Sequence, residues 1–94
     1  MTNQKEVLKK LQTIPSIGKA CALDLWQLGI RDPQDLAHRN PGILYAKLNK
    51  LTSKTHDICM LYTFRCAVYY CTEKTHEPEK LKWWYWKDKS YMEG

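Results

Sequence analysis

Ninety-four residues build at most one domain around one hydrophobic core, with modest stability. Apolar residues are 44% of the chain, which excludes a disordered polymer, and fifteen Lys and Arg against ten Asp and Glu leave a formal net charge of +5. That balance admits polyanionic partners, because a basic surface attracts phosphate at long range; a solvated lysine-rich surface accounts for it equally well. The opening "MTNQKEVLKK" is polar and amphipathic, unlike a secretory signal, and no apolar run approaches the ~18 residues of a membrane span. The expectation is a cytoplasmic protein with no membrane partner, whose Cys21, Cys59, Cys66 and Cys71 are reduced thiols.

Val7, Leu8, Leu11 and Ile14 recur at helical spacing and predict a first helix over 3–13. Pro15 interrupts it, because proline lacks the amide donor that a helix interior needs. Gly18 is expected to supply backbone angles closed to other residues. A second helix follows over 19–28, and Gly29 stands where a helix C-terminal glycine belongs. "RDPQDLAHRNP" then repeats one start signal: Asp32 before Pro33 and Asn40 before Pro41 each place a capping side chain ahead of a first-turn proline. These predict a short third helix over 33–38 and a fourth over 41–51, with Leu44, Leu48 and Leu51 as its apolar stripe. Asp57 is placed to cap a fifth helix over 58–74, whose buried face is Met60, Leu61, Phe64, Ala67, Val68 and Cys71. No strand pattern, low-complexity segment or long linker is present.

Two short helices joined by a tight turn, with glycine just before the second, form a helix–hairpin–helix. Here the pattern is carried by Leu11, Ile14, Ile17, Gly18 and Ala20. The isoleucines face the core, and the small Ala20 lets the helices approach. The first amides of the second helix, around Gly18 to Ala20, have no intrahelical partner and sit at the positive end of the helix dipole. They make a phosphate site built of backbone, to which Lys19 adds a charge. Contacts of that kind hold nucleic acid without reading its sequence. DNA-binding hairpins usually carry a further glycine where this chain has Ser16, whose side chain would either crowd a phosphate or bond it.

The fourth and fifth helices are joined by "LTSKTHD", a degenerate second hairpin that lacks the glycine. Its surroundings are basic. Between Leu36 and His56 there is no Asp or Glu, and Lys47, Lys50 and Lys54 fall three and four apart, as a stripe that would track phosphates. A solvated face is the plainer account of the same stripe.

His56 and Cys59 have the spacing of half a zinc site, but Cys59 and Cys66 lie two helical turns apart, ~10 Å by helix rise, too far to share an ion. No metal, cofactor or catalytic residue is expected, and no enzyme activity. In the tail, "LKWWYWKDK" interleaves Trp83, Trp84 and Trp86 with lysines. Such a stretch stacks on unpaired bases, docks a protein partner, or folds back to complete a small core.

The run from "IPSIGKACALDLWQLGI" through "THDIC" to "LKWWYWKD" resembles the small bacterial "pathogenicity locus" helix–hairpin–helix family, whose members are often labelled mitomycin-resistance-protein-like. The likeness covers about residues 8–88. The chain is also similar to the C-terminal helix–hairpin–helix domain of TfoX-type competence regulators. The resemblance implies a bacterial, cytosolic, all-α protein with no established biochemical activity.

The expected architecture is all-α: a compact five-helix domain over 1–94, with one clear hairpin at 8–30, a connecting helix at 33–38, a degenerate second hairpin at 41–74, and a Trp-rich tail at 77–94 packed on it. The expected function is non-catalytic, weak and sequence-independent DNA binding, with phosphate contacts from Ser16, Gly18, Lys19, Ala20, Lys47, Lys50 and Lys54. The competing expectation is a protein-interaction module, binding a partner or a second copy of itself through the helical surface or through Trp83, Trp84 and Trp86.

Overall fold

Asn3 starts the first helix: its side-chain oxygen accepts the Lys5 amide at 2.8 Å and satisfies one of the free donors of helix α1, Gln4–Leu11. The computed structural model describes residues 3–92, so both ends of the expected 1–94 domain, including the end of its 77–94 tail, lie outside the described residues. Val7 and Leu11, four apart on one face of α1, are buried. Helix α2, Lys19–Gln27, buries Ala22 and Leu25. It closes as the sequence signal demands: Gly29 takes φ 89°, its amide bonds the Trp26 carbonyl at 3.0 Å, and the Ile30 amide bonds the Leu25 carbonyl at 3.0 Å. This Schellman pairing turns the buried Ile30 back into the core.

Asp32 and Asp35 form a reciprocal capping box, but the element they open is a 3-10 turn of four residues, Pro33–Leu36, and not the connecting helix expected over 33–38. Ala37 leaves the helical region with ψ 131°, and His38 has φ 63°. The His38 amide that would continue a helix is taken by Thr72 Oγ1 at 2.9 Å, from the far end of the chain's longest helix. The described residues therefore hold four α-helices and three 3-10 turns, with no strand, where five helices were expected.

Helix α3, Pro41–Thr52, begins at Asn40, whose side chain accepts the Ile43 amide at 3.1 Å. Leu44 and Leu48 are buried, yet Leu51 is 60% exposed. The expected stripe runs off the core in its last turn, where α3 overhangs the C-terminal end of α2 and Leu51 faces Gln27 and Leu28 across a surface groove. Helix α4, Cys59–Thr72, follows the carboxylate of Asp57, which accepts the Cys59 amide at 2.8 Å.

The centre of the molecule is α4. One side of it, Phe64, Ala67 and Val68, meets Val7, Leu11, Leu25, Leu36 and Leu48 in the main core. Deleting a ring buried like that of Phe64 costs about 3–5 kcal/mol. The opposite side, Cys66 and Tyr69, packs on Trp86 from the tail. The tail is two consecutive 3-10 turns, Pro78–Leu81 and Trp83–Trp86. Two polar contacts fix it: Trp86 Nε1 donates to the Lys80 carbonyl at 2.9 Å, and Arg65 donates to the Trp86 carbonyl at 2.8 Å. The α-carbon radius of gyration is 12.3 Å, as expected for a globule of this length.

Candidate nucleic-acid interface

The turn between α1 and α2 reverses in a way its glycine does not explain. Gly18 sits at φ −91° and ψ −172°, an extended backbone open to any residue. The left-handed residue of the turn is Ser16, at φ 71°. The expectation that Gly18 supplies special backbone angles is thus corrected: Ser16 does so. A Cβ built on Gly18 meets nothing within 4 Å. Neither the fold's backbone nor its packing requires a glycine there.

Gly18 is also the N-cap of α2, and no side chain caps this helix or places an acid in its first turn. The Lys19 and Ala20 amides, at the first two helical positions, have no intrahelical acceptor. Burial pushes the Cys21 thiol up, with Asp24 adding to the effect, while the Gly18 backbone nearby draws it the other way. The Ser16 hydroxyl is turned toward the tail, 3.5 Å from the Leu81 carbonyl oxygen and 3.8 Å from Cys66 Sγ.

The lysines divide into two sets. Lys19 lines a shallow depression of about 360 Å³ with Lys5, Leu8, Lys9 and Gln12. Lys47 and Lys50 line a groove of about 550 Å³ with Gln27, Leu28 and Leu51. The two sets occupy opposite ends of α2, ~12 Å apart by helix rise. Asp24 lies between the two ends of α2, half-buried, and its carboxyl is raised by burial and drawn back by His56 and Lys54. Lys54 therefore acts near an acid, and it lines neither depression. Lys5 and Lys9 escaped the sequence reading, although their spacing of four on an exposed helix face is the signal that finds them.

The turn between α3 and α4 is tied up internally. Ser53 takes φ 55°, the His56 amide donates to Asn49 Oδ1 at 2.8 Å, His56 Nε2 meets Thr52 Oγ1 at 3.0 Å, and Tyr45 donates its hydroxyl to the His56 carbonyl. The Cys59 thiol is pushed up by its hydrogen bond to the Asp57 carboxylate, which disfavours the thiolate that nucleophilic chemistry needs. Burial, with Asp32 adding to it, pushes Cys71 up to about 12. Among the described residues no three His, Cys, Asp or Glu side chains come together to hold a metal ion, and no helix is long and apolar enough to cross a membrane.

The three tail tryptophans part company. Trp86 is 4% exposed and Trp83 half-buried, while Trp84 is 57% exposed. Lys82 Nζ stands 5.8 Å from the centroid of the Trp84 ring.

With this geometry in place the chain's kinship is plain. The pathogenicity locus family model matches residues 4–91, and the chain belongs to that family. No curated protein and no solved structure matches it.

Proposed function

We propose that this chain is a non-catalytic, sequence-independent DNA-binding module that works in the cytoplasm. In this reading α1 and α2, over 8–30, form a helix–hairpin–helix that holds backbone phosphate at the N-terminus of α2. The observation that carries the proposal is Gly18. Of the residues favoured at a helix start, Ser, Thr, Asp and Asn cover the first amides with a side-chain oxygen; the glycine here has none, its backbone is ordinary and its missing Cβ would touch nothing. The bare position keeps the Lys19 and Ala20 amides open to an incoming oxyanion.

Lys19 with Lys5 and Lys9 at one end of α2, and Lys47 with Lys50 at the other, supply the long-range attraction. The α3–α4 turn serves as a degenerate second copy, contributing charge through Lys54 rather than amides. Ser16 shapes the turn through its backbone. The similarity to the C-terminal domain of TfoX-type competence regulators, and the mitomycin-resistance label of the family, favour the same reading.

The test is titration of a labelled DNA duplex at two salt concentrations. Binding is expected to be weak, to fall steeply with salt, and to be reduced by Lys19→Glu and by the pair Lys47→Glu and Lys50→Glu. No binding at low salt removes the proposal.

One observation favours a second reading, a protein-interaction module. The groove beside Lys47 and Lys50 is floored by Leu28 and rimmed by an exposed Leu51, a surface that suits an amphipathic partner or a second copy of the chain. That reading predicts association insensitive to salt. Size-exclusion chromatography with light scattering, with Leu51→Ser as control, separates the two.

A further inference from the structure

Trp84 belongs to neither hydrophobic cluster of the fold and is 57% exposed. Trp86 fills the gap against Cys66 and Tyr69, and Trp83 leans on that cluster. The Trp84 ring stands outside it, in edge contact only with Trp83, ring centroids 5.7 Å apart and planes at 88°. Two residues before it is the exposed Lys82, whose ammonium lies by the ring, and three residues after it is the exposed Lys87. Neither lysine reaches a carboxylate in an ion pair among the described residues, whereas Lys80 is paired to Glu77 at 2.5 Å. Glu79 and Asp88 are the remaining acids of the stretch, and both point to solvent. An exposed aromatic ring with an unpaired lysine beside it complements a base attached to a phosphate.

Position adds to chemistry. The Ser16–Leu81 contact ties the hairpin turn to the tail three residues before Trp84. Chain reach on either side keeps the Trp84 backbone within ~25 Å of Gly18, a span of roughly seven nucleotides at 3.4 Å each. That bound sets the length of strand needed to meet both the amide site and the ring.

We propose that Trp84 is a stacking platform for an unpaired base, so that the preferred ligand is DNA with a single-stranded segment beside the strand held at Gly18. This rests on the phosphate-binding reading above and names its substrate class. The probes are a blunt duplex, the same duplex bearing a thymidine overhang, and free oligothymidine, each titrated at low salt by fluorescence anisotropy.

The overhang is expected to tighten binding about tenfold, and Trp84→Ala to erase that gain while leaving blunt-duplex affinity and the unfolding temperature unchanged. Lys82→Ala is expected to lower the salt dependence of overhang binding by about one charge. Equal affinities for blunt and overhang duplex, or a full overhang gain in Trp84→Ala, overturn the platform and leave the hairpin reading intact. Trp84-dependent binding of free oligothymidine with no binding of blunt duplex upholds the platform and removes the duplex reading instead. If Trp84→Ala leaves every probe unaffected but dissolves a dimer in light scattering, the ring belongs to a self-association surface and the proposal falls.

Discussion

The Ser16 hydroxyl lies 3.5 Å from the carbonyl oxygen of Leu81, joining a hairpin turn to a tail 65 residues further along. The same residue holds φ 71°, a conformation that costs an L-residue roughly 1 kcal/mol. One side chain thus serves as a weak strut while its backbone is strained. Ser16→Gly removes the strain and the strut together, and the strain is the larger of the two, since a long hydroxyl contact at the surface contributes about 0.5 kcal/mol. Ser16→Ala keeps the strain and loses only the strut. Thermal unfolding is expected to rank Ser16→Gly above the parent chain and Ser16→Ala below it, each by a few degrees. A glycine variant that melts below the alanine variant contradicts this account of the turn.

At Gly18 stability and binding are expected to move in opposite directions. Asp at this N-cap accepts a first-turn amide and complements the helix dipole, and its Cβ enters open space. Gly18→Asp should therefore stabilise the chain by roughly 0.3–1 kcal/mol. The same carboxylate covers the Lys19 and Ala20 amides and repels phosphate, so duplex affinity should drop tenfold or more. Parallel melting and titration of one variant measure both effects. Unchanged affinity in a stabilised Gly18→Asp chain eliminates the amide site.

What the sequence revealed and what it hid divide along the range of the interactions involved. The caps at Asp32 and Asn40 and the closing glycine at 29 were legible because each is settled within a few residues. The stretch 33–38 was misread as a helix because its end is decided by Thr72, which captures the His38 amide from 34 residues away. Leu51 has the period of a core residue, but α3 outruns the core it packs on. The left-handed position of the hairpin was assigned to Gly18 by residue type, whereas the backbone places it at Ser16. Lys47 and Lys50, two members of the expected stripe, line one groove, while Lys19 lies at the other end of α2. Helical periodicity orders residues around one axis and says nothing of how α2 lies against α1 and α3, which sets where Lys19 stands relative to that groove.

Asp24 lies between the two ends of α2, and burial raises its carboxyl above the ordinary 3.8. The folded chain then binds that proton more tightly than the unfolded chain does. Its contribution to stability is complete at low pH and falls as pH climbs from the ordinary carboxylate value through the raised one. Asp24→Asn should accordingly be more stable than the parent at neutral pH, with the advantage vanishing in acid. Removing a negative charge beside Lys54 should also tighten duplex binding roughly threefold at low salt, with less effect as salt screens it. Denaturant unfolding at several pH values checks the first effect. The second fails if the variant binds no better than the parent.

Asp32 shows the reverse sign. The Gln34 amide, at 2.9 Å from its carboxylate, and then Lys10, also at 2.9 Å, hold its carboxyl below the ordinary 3.8. Its stabilising contribution is therefore full above that value and lost as pH falls through the depressed one. The cap is the larger part, because Lys10 is solvent-exposed and its ion pair is screened. Asp32→Ala should lower stability by about 1 kcal/mol at neutral pH, and Asp32→Asn, which keeps an acceptor for the Gln34 amide, should lose less. In acid unfolding curves the gap between Asp32→Ala and the parent should narrow once pH drops below the ordinary carboxylate value. A gap that stays constant with pH would instead mean that the variant disturbs the packing of Leu36, which this capped turn delivers into the core.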